Sequence, residues 1–333
     1  MTHDAMALTA LLTAGRGLTT TRRLHDFGLT DRDIERCVAN KVLARVRRGV
    51  FADFATFSQL DSRERHVLRF RAEALSMRSA PVASHLTAAA LHGLPIIDGW
   101  PDAVHVADFG ARGGSGWPGR VTHRAGEEVE PVDIDGMLAT PLSRTVVDLA
   151  RILPFASALA VVDAALRGDR GNSARGVLAG AAPPRRPVSR AELLAELATS
   201  SRRLGTQRAL RAVEAGDPLA ESAGESLSRG RMIELGFVIP QLQVRFGDIE
   251  GGSAIVDFYW EGLRAIGEFD GMVKYSRSLE LEGRTAADVV VREKRREDAL
   301  RRRVAAFHRW TWADAIAAPK FARLLAEFGI PLR

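Results

Sequence analysis

Cysteine is almost absent from this chain. Cys37 stands alone, which excludes an intrachain disulfide and any zinc site built from several cysteines. Aromatic residues are sparse too, at 6% of 333 residues. No apolar run approaches the length needed to span a bilayer. The first residues, MTHDAMALTALLTAGRG, lack the charged lead and long apolar core of an export signal. A cytoplasmic protein without membrane contact is therefore expected. There are no internal repeats. GARGGSGWPG (110–119) is Gly-rich but has no Lys-Ser/Thr where a phosphate would be cradled, so it reads as a loop. What the chain has instead is positive charge: Lys+Arg 47 against Asp+Glu 41, a net of +6. That balance favours an anionic partner. The length suggests two or three domains with ample core.

The densest chemistry lies in 253–274, SAIVDFYWEGLRAIGEFDGMVK. Two β-prone runs around Glu261-Gly262 predict a β-hairpin. A two-residue loop sets Asp257 opposite Ile266. Because alternate residues share a strand face, Asp257, Glu268 and Asp270 then project together. Three carboxylates on a mostly apolar hairpin are costly unless a cation sits among them. Lys274, past the Asp270-Gly271 turn, can supply an ammonium there. Hard oxygen ligands suit Mg²⁺ or Mn²⁺; a solvated acidic face with an Asp-Gly turn accounts for the same residues.

The flanks read as helices. Ala220–Gly236 is amphipathic, capped near Ser222 and stopped by Gly236, with Glu225, Arg229 and Met232 at helical spacing. Asp288–Arg303 is a second helix, VAAFHRWTW a β-like run, and Trp312–Phe328 a closing helix. Between Arg292 and Arg303, seven Lys/Arg stand against three Asp/Glu. This run suits phosphate contact through residues such as Arg295 and Arg296, or a solvated face laced with pairs such as Glu293/Glu297 with Arg301.

The set GES, VDFYW, GEFDG, EKRRED and RWTW resembles the very-short-patch-repair-like branch of the PD-(D/E)XK nuclease superfamily, over 219–333. The resemblance implies a restriction-endonuclease-like α/β domain hydrolysing DNA phosphodiester bonds with Mg²⁺ or Mn²⁺. Asp257 matches the PD aspartate, Glu268 the acidic residue of the second half-motif, and Glu225 that of the first helix. Asp257, Glu268, Asp270 and Glu225 are the metal-ligand candidates. Where the pattern has Glu-x-Lys this chain has Glu268-Phe269-Asp270, so the lysine role falls to Lys274 or Lys294.

Toward the N-terminus, Ala5–Ala14 reads as a short helix. Thr20 caps a helix that Gly28 stops. Thr30 caps DRDIERCVAN, whose Ile34, Cys37 and Val38 form the apolar stripe. KVLARVRRGVFAD reads as two strands around Arg47-Arg48-Gly49. Three helices followed by a basic wing describe a winged helix-turn-helix over 1–58. Arg22, Arg23, Arg32, Arg36, Asn40, Lys41, Arg45, Arg47 and Arg48 are the candidate DNA contacts. An α+β middle domain follows over 59–168. In it His85 and His92 fall on one helix face without a visible third metal ligand, so capping and packing are expected of them. Residues 169–218 are a linker and short helices.

The lines LTTTRRLHDFGLTDRDIERCV, RVRRGVFAD, SHLTAAALHGLP and TPLSRTVVDLAR resemble the AbiEi family of antitoxin-like transcriptional regulators, over 8–168. That resemblance implies DNA binding and a toxin–antitoxin or phage-defence setting; it does not itself imply a cognate toxin for this chain. Two functions therefore stand side by side: a metal-dependent DNA endonuclease, and a non-catalytic regulator with an inactive nuclease fold.

Overall fold

The computed structural model describes residues 11–12, 15, 17–77, 79–110, 119–124, 129–168, 186–199, 204–249, 252–271 and 286–333. The architecture is multidomain α/β. Its contacts divide into two units: Met1–Leu149 with Gly168–Thr206, and Ala150–Arg167 with Gln207–Arg333.

The first unit opens with β1 (Leu18–Thr20), α1 (Thr21–Asp26), α2 (Asp31–Ala39), β2 (Leu43–Arg47) and β3 (Val50–Asp53). The Thr20 hydroxyl accepts from Arg23 N at 3.3 Å. Thr30 and Asp33 form a reciprocal capping box on α2. Each such cap is worth about 1 kcal/mol. Leu24, Ile34, Leu43 and Phe51 form the core beneath, with Cys37 and Val38 against it, as the apolar stripe predicted. Cys37 is thus a packing residue. The sheet order is β1-β3-β2; β1, absent from the sequence-based expectation, pairs Leu18 with Ala52. Gly49 turns the wing at φ 75°. The Ala5–Ala14 helix lies largely outside the described residues.

The unit continues through α3 (Phe54–Gln59), α4 (Ser62–Ala74), β4 (Val82–Ala83), α5 (His85–Leu91), β5 (Val104–Asp108), β6 (Arg120–Arg124), β7 (Val132–Ile134), β8 (Met137–Ala139) and α6 (Leu142–Ile152). The sheet runs β6-β5-β4-β8-β7. Val67 and Phe70 of α4 and Ala88 and Leu91 of α5 pack on Val104, Val106, Met137 and Ala139.

The second unit contains α7 (Phe155–Arg167), which the sequence placed at the end of the middle domain. Next come α8 (Arg190–Thr199), belonging to the first unit, and α9 (Thr206–Ala215). The rest is α10 (Ala223–Leu235), β9 (Gln241–Ile249), β10 (Gly252–Trp260), β11 (Ala265–Asp270), α11 (Ala286–Arg301), β12 (Ala306–Thr311), α12 (Trp312–Ala315) and α13 (Ala318–Glu327). The expected order of helix, strand, hairpin, helix and strand is observed. The closing helix, expected as one piece over Trp312–Phe328, is two. Ala317 is extended (φ −95°, ψ 100°), and proline stands at the start of α13. Pro319 has no N–H to donate to the Ala315 carbonyl and its ring would clash with it, so a continuous helix is broken and a fresh one begins with proline in its first turn.

Strands β9, β10 and β11 form an antiparallel meander, and β12 adds parallel to β11 in the order β12-β11-β10-β9. On one sheet face, Gly267 leaves room for the Trp310 and Trp260 rings; a Cβ there would lie 2.5 Å from Trp310. Trp310 also donates Nε1–H to Ser228 Oγ of α10 at 2.8 Å. Ile266, Phe307, Ala299 and Leu300 form the core toward α11.

Candidate functional site

The hairpin turn differs from its expected form. Glu261–Leu263 make a single 3₁₀ turn and Arg264 takes left-handed backbone at φ 48°. The register is Phe258↔Gly267, Tyr259↔Ile266 and Trp260↔Ala265, two residues displaced from the expected pairing. A shift of two preserves the faces, and it brings Asp257 level with Glu268. The cause is long-range: the Arg264 carbonyl accepts the backbone N–H of Ala305 at 2.8 Å, which holds the wider turn.

Paired register stops just before the acidic residues. There Asp257 Oδ2 accepts the backbone N–H of Phe269 at 2.9 Å, a carboxylate standing where a strand carbonyl otherwise would. Gln243 of β9, at the unusual φ of 50°, donates Nε2–H to Glu225 Oε2 at 3.0 Å and reaches Asp257 Oδ1 at 3.5 Å. Glu225 is buried at the first turn of α10, where Glu221 N and Ser222 Oγ also donate to it, at 2.8 and 2.7 Å. Its first task is thus to cap α10.

Glu268 faces α11 and β12. Arg296 Nη2 donates to both its oxygens, at 2.8 and 3.0 Å, and Arg309 Nη2 donates to Oε2 at 2.9 Å. The parallel register sets Glu268 beside Arg309. Glu293 accepts from Arg296 and Arg309, each at 2.8 Å, and Glu297 lies 3.3 Å from Arg309. Burial pushes the Glu268 carboxyl up, against the pull of Arg296 and Arg309; the charge of Asp257 adds to the rise. That coupling makes Asp257 and Glu268 electrostatic neighbours. Glu293 is lowered, chiefly by the Arg296 hydrogen bond.

Asp270 ends β11 beside Thr311, half-buried. Lys294 and Arg295 are exposed on α11, whereas Arg296 is turned onto the acids. Lys274 lies outside the described residues. Among the described residues no three His, Cys, Asp or Glu side chains gather closely enough to hold a metal ion. Arg309 and Gln243 were missed in the sequence, and Glu293 was read only as an ion-pair partner on a solvated face. The i,i+3 spacing of Glu293 and Arg296 could have flagged one pair; nothing local in the sequence marks the other two.

On the winged helix, Arg22, Arg23, Arg32, Arg36, Asn40, Lys41, Arg45 and Arg48 are exposed. Arg36 pairs with Asp33 at 3.4 Å and Arg45 with Glu35 at 2.5 Å, both at the surface. Arg47 is more committed: Glu73 of α4 holds it at 2.5 Å and also engages Arg120 of β6 at 3.3 Å. It ties the wing to the middle sheet.

The middle domain gathers three imidazoles. His85 begins α5 at φ 45° and stacks on His123 with ring centroids 3.5 Å apart. His123 Nε2 and His105 Nδ1 share a 2.9 Å hydrogen bond. Burial lowers His105 to about 4, with His123 and His66 adding to the drop. The hydrogen bond turns these two ring nitrogens onto each other, and among the described residues no three side chains gather as metal ligands would. His92 bonds the Thr140 carbonyl at 2.8 Å, the packing role expected of it.

No protein-family model matches the chain. It is similar to uncharacterized protein Rv2248 of Mycobacterium tuberculosis (strain ATCC 25618 / H37Rv), with 30% identity over 254 residues, covering 76% of this chain and 83% of that protein. Uncharacterized protein MT2308 of the CDC 1551 / Oshkosh strain matches to the same extent. The chain belongs to their family. No described helix is long and apolar enough to cross a membrane.

Proposed function

We propose that this is a DNA-binding protein whose C-terminal domain is a metal-assisted phosphodiesterase of the PD-(D/E)XK type. One observation carries the reading: Asp257 and Glu268 stand level on neighbouring strands, where regular pairing gives way to a side-chain contact. Two such carboxylates are the hard oxygen donors that Mg²⁺ or Mn²⁺ takes. Asp257 and Glu268 would hold the ion, with Glu225, linked to Asp257 through Gln243, and Asp270, two residues after Glu268, as the further candidates. A bound ion lowers the pKa of a water and neutralises charge on the scissile phosphate. Gln243 positions Asp257 and Glu225 by donating toward both. Lys294, exposed on α11, is the described lysine offered for orienting the water. The winged helix would carry the duplex through exposed cations on α1, α2 and the wing.

A second reading is the non-catalytic, antitoxin-like regulator, with DNA and a cognate toxin as partners. The guanidinium groups on Glu268 favour it, because an acid already charge-balanced has less need of an ion. Incubating plasmid and single-stranded DNA with Mg²⁺ or Mn²⁺ separates the two. Cutting that Asp257→Ala abolishes is the expected result. DNA binding without metal-dependent cutting would establish the regulator instead.

A further inference from the structure

The cations on Glu268 differ in kind from Arg229, a buried arginine of the same unit. Arg229 bonds both oxygens of Asp163, at 2.8 and 2.9 Å, and their side chains are 7% and 0% exposed. That pair is sealed. Arg296 and Arg309 keep 26% and 27% of their side chains exposed, so both guanidinium groups lie at the solvent edge of the site.

The bonding of Arg309 is also incomplete. Arg309 offers Nη2 alone to Glu268, Glu293 and Glu297. One nitrogen with two protons thus serves three carboxylates, while its Nε is buried without a hydrogen-bond acceptor among the described residues. An arginine fork matches a phosphate through two nitrogens at once, and this arrangement leaves that capacity unused. Arg296 has all its nitrogens engaged but divides them between two acids: Nε and Nη2 donate to Glu293, Nη2 also to Glu268, and Nη1 lies 3.4 Å from the Ile255 carbonyl.

We infer that Arg296 and Arg309 are the phosphate-binding pair of this site, held on Glu268 until nucleic acid arrives. Phosphate oxygens then compete for the guanidinium groups, and Glu293 remains as their partner on α11. The Glu268 carboxylate is then no longer charge-balanced by arginine, and a divalent ion shared with Asp257 takes over that role. DNA and metal therefore bind with positive coupling, and by linkage each tightens the other equally. The same pair keeps the buried carboxylate from standing uncompensated when no DNA is bound. This inference rests on the phosphodiesterase reading.

The test is Mn²⁺ binding to the full chain, followed by electron paramagnetic resonance of the free ion. It is run with and without a phosphorothioate duplex that resists cutting, and ion held by the duplex alone is subtracted. The Asp257-dependent affinity should rise about tenfold with duplex, within the usual range of coupling between two sites. Arg309→Gln should reproduce part of that rise without DNA. An Asp257-dependent site of equal affinity with and without duplex overturns the inference and leaves the phosphodiesterase reading standing. Mn²⁺ binding that ignores Asp257→Ala under every condition overturns both. If Arg309→Gln fails to fold, Arg296→Gln replaces it, and a metal affinity without duplex that neither variant raises overturns the inference.

Discussion

Asp163 illustrates what a single residue carries in this protein. It lies on α7, fully buried, and receives Arg229 Nη2 together with the backbone N–H of Asp217, the latter at 2.7 Å. Arg229 in turn donates Nη1–H to the Ala215 carbonyl at 2.7 Å. One ion pair therefore joins α7, α9 and α10. Removing one member of a buried pair strands the other charge, at a cost of about 3–5 kcal/mol. Asp163→Ala should lower stability by that amount in urea unfolding followed by circular dichroism. A loss of less than about 1 kcal/mol would mean that Arg229 finds water or another acceptor. The sequence showed Arg229 on the inward stripe of its helix; it gave no sign that its partner lay 66 positions away.

At the scale of elements, the histidine stack joining α5, β5 and β6 makes stability depend on pH. His105 binds its proton at about 4 when folded, against 6.5 for the ordinary side chain. Between those values the unfolded chain takes up a proton that the folded one refuses. Stability is then fully present above pH 6.5 and is lost as pH falls toward 4. After allowance for the partial exposure of His105, the loss is on the order of 2 kcal/mol. Thermal melts from pH 7.5 to 5 should show a falling midpoint, and His105→Gln should flatten the fall. An equally steep fall in the variant would assign it to other groups. Element boundaries were legible wherever a local signal marked them: Thr20, Thr30 and Ser222 cap their helices, and Gly28 and Gly236 end theirs in left-handed backbone. The hairpin register was not legible, since Gly262 suggested a tight turn and a contact with Ala305 imposed a wider one.

For the whole molecule, charge and its pairing govern the expected encounter with DNA. Arg22, Arg23, Arg32, Arg48 and Lys41 are exposed and form no ion pair among the described residues. Arg47 is taken up between the wing and α4. If four or five of these cations meet phosphates, log affinity should fall against log salt with a slope of about −4. Titration of a labelled duplex between 50 and 200 mM salt, as a rough working range, measures it. A slope near zero would remove the winged helix from the DNA interface.

Sequence alone determined the α/β class, the winged-helix and meander order, and the acidic residues of the hairpin. These follow from periodicity, caps and residue type, which act over a few neighbouring positions. Only the tertiary structure decided what surrounds those acids. Glu268 meets Arg296 and Arg309 across 28 and 41 positions of chain, and Gln243 reaches Asp257 from the adjoining strand. Such meetings depend on strand register and helix placement, which the global packing sets. A carboxylate's chemistry is governed by those neighbours, so the same Glu268 reads as a metal ligand in sequence and as the centre of an arginine network in the fold.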